Sequence, residues 1–330
     1  MATSGTLSTT TYRTAQFLDD AIRRCKVRPE TLSAEDILAA KNALYLFMSA
    51  LGNKGDLLWA VEKVIVPVYE GQAFYNMPLG TVDSRNVNFR LLTRLTGTYA
   101  SSAGGTVANA FDDDFSTALT QTSGDGSVTT TFTSDTQVTN VGILPNADAT
   151  YTLTMARSDD NITYTTVYTS AAYAAVAGTW AWFDIDGNLA ATYFKITLSG
   201  GATLDVREIY IGGSPTEIPM ARINQDDYTN LPNKTFSGKP LQFWLDRRRT
   251  YPVMNTWPVC DLTNRYGQIV IWRTRYLEDV GTLAEELDFP QRWFQAMVWA
   301  LAEELAMIMP TVDPAWVPTV QAKAASTWFE

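Results

Sequence analysis

The sequence predicts a multidomain α+β protein, a helical domain with a small β-region into which an antiparallel β-sandwich is inserted. Three observations point there. The first is length, since 330 residues exceed what one core usually supports and suit two. The second is charge. Residues 1–95 carry 11 Lys/Arg against 9 Asp/Glu, and residues 214–330 carry 11 against 14, whereas residues 96–213 carry 3 against 12. Nearly all of the net charge of −10 therefore sits in the middle. The third is periodicity. The flanks space apolar residues as helices do, while the middle, with 23 threonines, alternates in period two. The boundaries that follow are residues 1–95 and 214–309 as two parts of one domain, 96–213 as the insert, and 310–330 as a tail. The insert reads as removable, with Leu95 joined to Ser214 by a short linker.

In the N-terminal flank, TAQFLDDAIRRCK places Phe17, Leu18, Ile22 and Cys25 on one helical face. Ser33 opens a second helix, with Asp36 three positions on as a variant capping box. Ile37, Ala40, Leu44, Phe47, Met48 and Leu51 form its apolar stripe, and Gly52 supplies the stop. VIVPVYEGQAFYNMPLG reads as two strands joined by a turn at Glu70–Gly71, and RNVNFRLLTRL begins a third.

The insert contains SVTTTF, QVTNVGILP, TYTLTMARS, TYTTVYTS, TWAWFDI, TYFKITLSG and LDVREIYIGG between Gly, Asn and Asp turn signals, which predicts an antiparallel sandwich. After it, PLQFWLD and QIVIWRTRYLE read as strands, with TYPVMNTWPVCD as a proline-punctuated connector. LDFPQRWFQAMVWALAEELAMIMP reads as a helix with Pro290 in its first turn and Pro310 at its end. Its apolar face is Phe294, Met297, Val298, Leu301, Leu305 and Ile308.

Composition narrows the chemistry. There is no histidine, which excludes Ser-His-Asp and Cys-His triads and His-ligated zinc. Cys25 and Cys260 are too few for an all-cysteine zinc site or a disulfide scaffold and read as reduced thiols. No phosphate-cradling GxxxxGK[ST] or strand-linked GxGxxG occurs. No run approaches the ~18 apolar residues of a spanning helix, and MATSGTLSTTTYRTAQ has no basic segment followed by an apolar stretch, so a soluble protein without a secretory leader is expected. A binding or structural role rather than an enzyme is the expectation. Glycoside hydrolysis needs only two carboxylates, yet Glu285–Glu286 and Glu303–Glu304 read as solvated helix faces.

Several residues stand out. Asp112, Asp113 and Asp114 lie in a row on a loop, as a solvated turn or as hard oxygen ligands for calcium. Trp180, Trp182, Tyr164, Tyr168 and Tyr173 are available as sugar platforms, although Trp180, Trp182 and Asp184 share one strand face, which places at least one tryptophan in the core. Arg247, Arg248 and Arg249 form the densest basic run, suited to DNA phosphates, to acids of a neighbouring subunit, or to a solvated turn. TVDPAWVPTVQAKAASTWFE reads as a docking tail, mobile in the monomer, with Trp316 and Trp328 as anchors on a partner.

Two resemblances add to this. VANAFDDDFSTALTQTS, VGIL, TYTLTMARSDDNITYTTV and YFKITLSGGATLDVREIYI, in that order, resemble the discoidin-like (factor V/VIII type C) jelly-roll family, with Asp113 where members carry glycine and Leu119 where they carry tryptophan. That resemblance implies frequent carbohydrate binding and a structural calcium held by Asp112 or Asp114, Thr117 and Glu208. The flanks, through WAVEKVIVPVYEGQAFYNMP, IPMARINQDDYTNLPN, GKPLQFWLDR and FPQRWFQAMVWALAEELA, resemble the head–tail adaptors of short-tailed bacteriophages, also called gatekeeper or tail tubular protein A-like. This second resemblance implies a virion protein at the head–tail junction, assembled in the host cytoplasm. It implies a ring of twelve copies beneath the portal that continues the DNA channel without sequence-specific contacts. Its partners would be portal, the tail nozzle or tail tube protein and tail fibres, with no membrane and no required cofactor. The alternative is a carbohydrate-binding or carbohydrate-active tail protein that engages the host surface.

Overall fold

The computed structural model describes residues 12–53, 60–102, 104–121, 126–185, 190–200, 203–248, 250–277, 282–288 and 290–328. The chain opens with helices α1 (Thr14–Arg24) and α2 (Ala34–Asn53). The box at the start of α2 forms as expected. Ser33 Oγ accepts the Asp36 N–H at 3.2 Å, while Asp36 Oδ2 accepts the Ser33 N–H at 3.1 Å. Ala40, Leu44, Met48 and Leu51 of its stripe are buried, but Ile37 lies on the surface.

Strands β1 (Val61–Pro67), β2 (Phe74–Asn76) and β3 (Thr81–Arg94) follow. The turn at Glu70–Gly71 is present, with Gly71 in the left-handed region at φ 74°, where a side chain would be strained. The two strands it joins do not pair with each other. β1 lies against Gln268–Arg275 and β2 against Val253–Trp257, so long-range pairing wins over the local hairpin.

The middle supplies β4 (Thr98–Ser101), β5 (Leu119–Thr120), β6 (Gly126–Thr136), β7 (Asn140–Pro145) and β8 (Ala149–Ser158). It continues with β9 (Thr165–Thr169), β10 (Tyr173–Ala175), β11 (Ala181–Asp184), β12 (Ala191–Ser199) and β13 (Asp205–Pro219). The C-terminal flank adds β14 (Ala221–Arg222), α3 (Gln225–Thr229), β15 (Ser237–Gly238), β16 (Gln242–Asp246), β17 (Val253–Trp257), β18 (Val259–Cys260) and β19 (Gln268–Arg275). The expected connector is therefore partly strand, because Pro252 and Pro258 bracket an alternating Val253–Trp257 segment. Helices α4 (Phe294–Ile308) and α5 (Val317–Trp328) close the chain.

The fold is a mixed α+β structure built mainly from antiparallel sheets. One sheet of the sandwich runs β10-β8-β12-β6-β4, with β9 on β8. The other runs β1-β19-β3-β13-β7-β11, with β5 on β13, and it unites flank and insert. β13 makes the join. Val206–Gly212 pairs with β7 of the sandwich, and Gly212–Pro219 pairs with β3 of the flank. The expected boundary between Gly213 and Ser214 thus falls inside a continuous strand. A smaller sheet, β14-β16-β17-β2, packs on the flank side.

Each layer has its own core. Phe17, Leu44, Leu51, Met297, Leu301 and Leu305 fill the helical layer, and Leu119, Ile143, Leu153, Phe194 and Ile209 fill the sandwich. Phe89, Phe243, Met254 and Ile269 lie between the small sheet and the shared one. Cys25 and Cys260 are free and buried, and burial raises their thiols to about 11 and about 12.

The tail departs from expectation. α5 lies along α4, with Val320 and Ala324 fully buried between them. Trp316 Nε1 donates to the Arg24 carbonyl at 2.9 Å, and the Lys26 ammonium sits 3.6 Å from its ring centroid. The tryptophan anchors the tail to its own chain. Pro318 falls in the first turn of α5, where a missing N–H costs nothing, so it starts a helix instead of preventing one. Trp328 ends that helix, and its side chain lies outside the described residues.

Candidate functional site: the joint between sandwich and flanks

Alternation along β3 puts Arg90, Leu92 and Arg94 on one face, and that face grips the sandwich. Arg90 is buried. Its Nη1 donates to Asp184 Oδ1 at 2.7 Å, and its Nη2 donates to Glu217 Oε1 at 2.6 Å. Asp184, on β11, is also paired with Lys63 of β1 and accepts from the Asn140 amide. Sandwich and flank thus share one ion-pair network, in which the Arg90 fork spans two carboxylates at once.

Four residues along, Arg94 Nη2 donates to Glu208 Oε1 at 2.7 Å, and Nη1 donates to Asp113. The Tyr266 hydroxyl also donates to Asp113, and Arg265 Nη2 donates to the Asp113 carbonyl at 3.2 Å. Tyr266 and Arg94 hold the Asp113 carboxyl below its ordinary range even though burial works against it. Glu208 has no exposed surface, and its Oε2 has no hydrogen-bond partner among the described residues. Burial pushes its carboxyl up to about 7, against the opposing pull of Arg94.

Between the two arginines lies an aromatic wall. Trp180 and Trp182 stack with ring centroids 5.1 Å apart, and Trp182 meets Tyr210 at 5.4 Å. Tyr266 of the flank closes on Trp180 at 5.8 Å and on Tyr210 at 4.8 Å. The Trp180 backbone N–H donates to the Tyr69 hydroxyl at 3.0 Å, and the Tyr210 hydroxyl donates to the Leu92 carbonyl at 3.0 Å. Gly142 makes room, since a Cβ there would lie 2.5 Å from the Trp182 ring. The tryptophans considered as sugar platforms serve here as mortar between layers.

The residues implied for calcium do not fit the ion as placed. Thr117 Oγ1 donates to Asp112 Oδ2 at 2.9 Å, and Asp114 Oδ1 accepts the Ser116 N–H at 2.9 Å, bonds that close the turn itself. Glu208, the ligand that would link this loop to β13, carries the Arg94 guanidinium instead. A fixed positive charge at that position repels a divalent cation. Among the described residues no group of three or more acidic or thiol side chains is placed to hold a metal. Arginine ties the acidic loop to β13, the task the resemblance assigns to the ion.

No protein-family model matches this chain, and no curated protein matches it. Solved structures similar over about a third of it include carbohydrate-binding modules. One is the CBM32 of AlyQ in complex with 4,5-unsaturated mannuronic acid, 16% identical at a TM-score of 0.33, the match covering 37% of this chain and 99% of that one. A pectin-binding module is 17% identical at 0.32 and covers 37% and 94%. Chitosan-binding module 1 from a chitosanase/glucanase of Paenibacillus sp. IK-5 is 19% identical at 0.31 and covers 36% and 97%. The sugars belong to those proteins.

The remaining residues singled out from the sequence lie apart from the joint. Arg247 Nη2 donates to Asp83 Oδ2 at 2.6 Å, Arg222 shares that carboxylate, and Arg248 Nε donates to Asp246 Oδ2 at 2.7 Å. Arg249 lies outside the described residues. Arg247 lines a shallow cleft of about 650 Å³ with Trp244, Asn224 and Asp227. Tyr173 packs on Phe183 at 5.0 Å, with its hydroxyl buried, and Tyr168 packs on Phe183 at 6.3 Å. Tyr164 stays half-exposed, with the Lys195 ammonium 4.0 Å from its ring centroid and its hydroxyl donating to Asn161. Glu285–Glu286 belongs to the segment before α4, not to a helix.

The sequence reading missed Arg90, Arg94, Arg265 and Tyr266. A signal existed in Arg90-Leu91-Leu92-Thr93-Arg94, two bases on one face of a predicted strand ending at an acidic insert.

Proposed function

We propose that the protein is a non-enzymatic assembly protein, a ring adaptor that joins portal to tail in a short-tailed phage virion and continues the DNA channel. The observation that carries this reading is the unfinished face of the helical layer. Leu38, Tyr45, Leu46, Met307 and Ile308 are each more than half exposed on α2 and α4. Leu46 and Ile308 share a recess between the two helices, and Tyr45 lines another with Tyr276. Large apolar side chains left in water in this number mark a partner surface. The clamped sandwich supports the same reading, because a module fixed by Arg90 and Arg94 keeps one orientation from copy to copy around a ring. The partners in this proposal are portal above and a nozzle or tube protein below, with DNA passing through uncontacted in any sequence-specific way.

A second reading, glycan binding by the sandwich on the host surface, is favoured by the β8–β9 turn. There Tyr164, Asn161 and Lys195 set a ring, an amide and an ammonium together at the surface, groups that sugar sites combine. Negative-stain imaging of the full chain mixed with portal decides the first reading. Rings seated beneath portal are expected, and absence of both rings and portal binding would sink it. A glycan array read with the same protein tests the second.

A further inference from the structure

Between α2 and α4 runs a groove of about 330 Å³. Ala43, Ala50 and Ala300 form part of its lining, and Leu46, Phe47 and Ile308 give it bulk. Three alanines among larger residues leave a recess suited to one inserted side chain rather than to a whole helix. Glu303 and Glu304 also line it, giving the apolar recess a negative border. Its complement must therefore be a single large apolar side chain in a basic setting.

The chain carries such an element on a different layer. Phe236 is 53% exposed in the segment Leu231–Leu241, which holds Lys234 and Lys239 and no acid. Ile162, by contrast, is exposed beside Asp159 and Asp160 and would meet the acidic border with like charge. The Phe236 segment is also rigid. The Val259 N–H donates to the Phe236 carbonyl at 2.8 Å, Trp257 Nε1 donates to the Asn233 carbonyl at 2.9 Å, and β15 pairs with β18. The Phe236 ring rests 6.1 Å from Trp257, and Lys234 donates to the Thr229 carbonyl, so the projecting group is already ordered before any contact. Little ordering entropy is then left to lose on docking.

We infer that Phe236 of one copy seats in the α2–α4 groove of the next, with Lys234 and Lys239 against Glu303 and Glu304. Groove and loop belong to different layers of the chain, so each copy offers one of each to two different neighbours. That contact is heterologous and generates a ring if its rotation closes. It deepens the ring reading above and rests on its self-assembly component, without depending on portal.

The test uses full-length chains in sedimentation velocity at low salt. Wild type is expected to self-associate in a concentration-dependent way. Glu303→Lys/Glu304→Lys and Lys234→Glu/Lys239→Glu, each alone, place like charges across the contact and should associate at least tenfold more weakly. An equimolar mixture should recover, because reversed groove then meets reversed loop and native meets native. Phe236→Ala should weaken association with an unchanged melting temperature, since half of its ring is already in water. Wild-type association by either reversed variant, failure of the mixture to recover, or a wild type that stays monomeric would overturn the contact. A monomeric wild type that still caps portal would do so while sparing the adaptor reading. Rings that ignore portal would sink the adaptor reading and leave this contact standing.

Discussion

The sandwich and the helical layer treat their apolar surfaces in opposite ways. The sandwich carries a large aromatic surface outside its core, the Trp180–Trp182 pair, and Tyr69, Tyr210 and Tyr266 enclose it. The helical layer leaves Leu46 at 66% and Met307 at 64% exposed, with nothing among the described residues laid over them. Burial of the first surface is needed for a single copy to hold its shape. The second gains only when another chain arrives, so the difference separates what folds the molecule from what would assemble it.

The most severe way to break this contrast is to excise residues 96–213. The charge pattern alone suggests that the insert comes out cleanly. The structure instead has β13 crossing the cut, Asp184 neutralising buried Arg90, and Trp180 covering flank tyrosines. A chain with Leu95 joined to Ser214 should therefore lose its cooperative melt or fall out of solution. If it melts sharply at the wild-type temperature, sandwich and flank are independent after all.

Trp180→Ala probes the covered surface directly. At 4% exposure its loss should cost roughly 3–5 kcal/mol in urea titration, the range for large buried aromatics. Leu46→Ala, on the open surface, should leave the same titration almost unmoved. Equal losses at the two positions would erase the distinction.

Arg94→Gln leaves Glu208 buried without its counter-charge, which should cost about 3 kcal/mol at pH 8. A carboxyl whose folded pKa is raised, here to about 7, weighs against the fold as pH climbs from its unfolded value and ceases to do so once protonated. The variant's deficit should therefore shrink on going from pH 8 to pH 5, as read from paired melting curves. Because the wild-type cluster uses arginine where the resemblance implies calcium, adding calcium or chelator should not shift the wild-type curve. A calcium-dependent melt would restore the metal.

The smallest effect belongs to Arg247→Ala. Its pair with Asp83 sits at the surface with the arginine side chain 60% exposed, so stability should change by less than about 1 kcal/mol. A markedly larger loss would show that this ion pair supports the fold.

Local rules explain what was legible from sequence. Ser33 with Asp36, the α1 stripe, the Met297–Leu305 part of the α4 stripe, Gly71 and the alternating runs of the insert each depend on neighbours within a few positions, and each formed where the residues put it, whereas Ile308 at the end of the α4 stripe lies on the surface. The sequence by itself therefore determined helices α1, α2 and α4, the sandwich texture and the absence of histidine chemistry. Tertiary structure decided the rest. Which strand β1 and β2 would choose, whether β13 would end at the insert or run through it, and whether Pro318 would end the chain's order or start α5 depended on surfaces brought from far along the chain. The same holds for Arg94, whose partners Asp113 and Glu208 lie 19 and 114 residues away. A charge seeking burial takes whichever opposite charge the fold delivers, and no spacing in the sequence encodes that meeting.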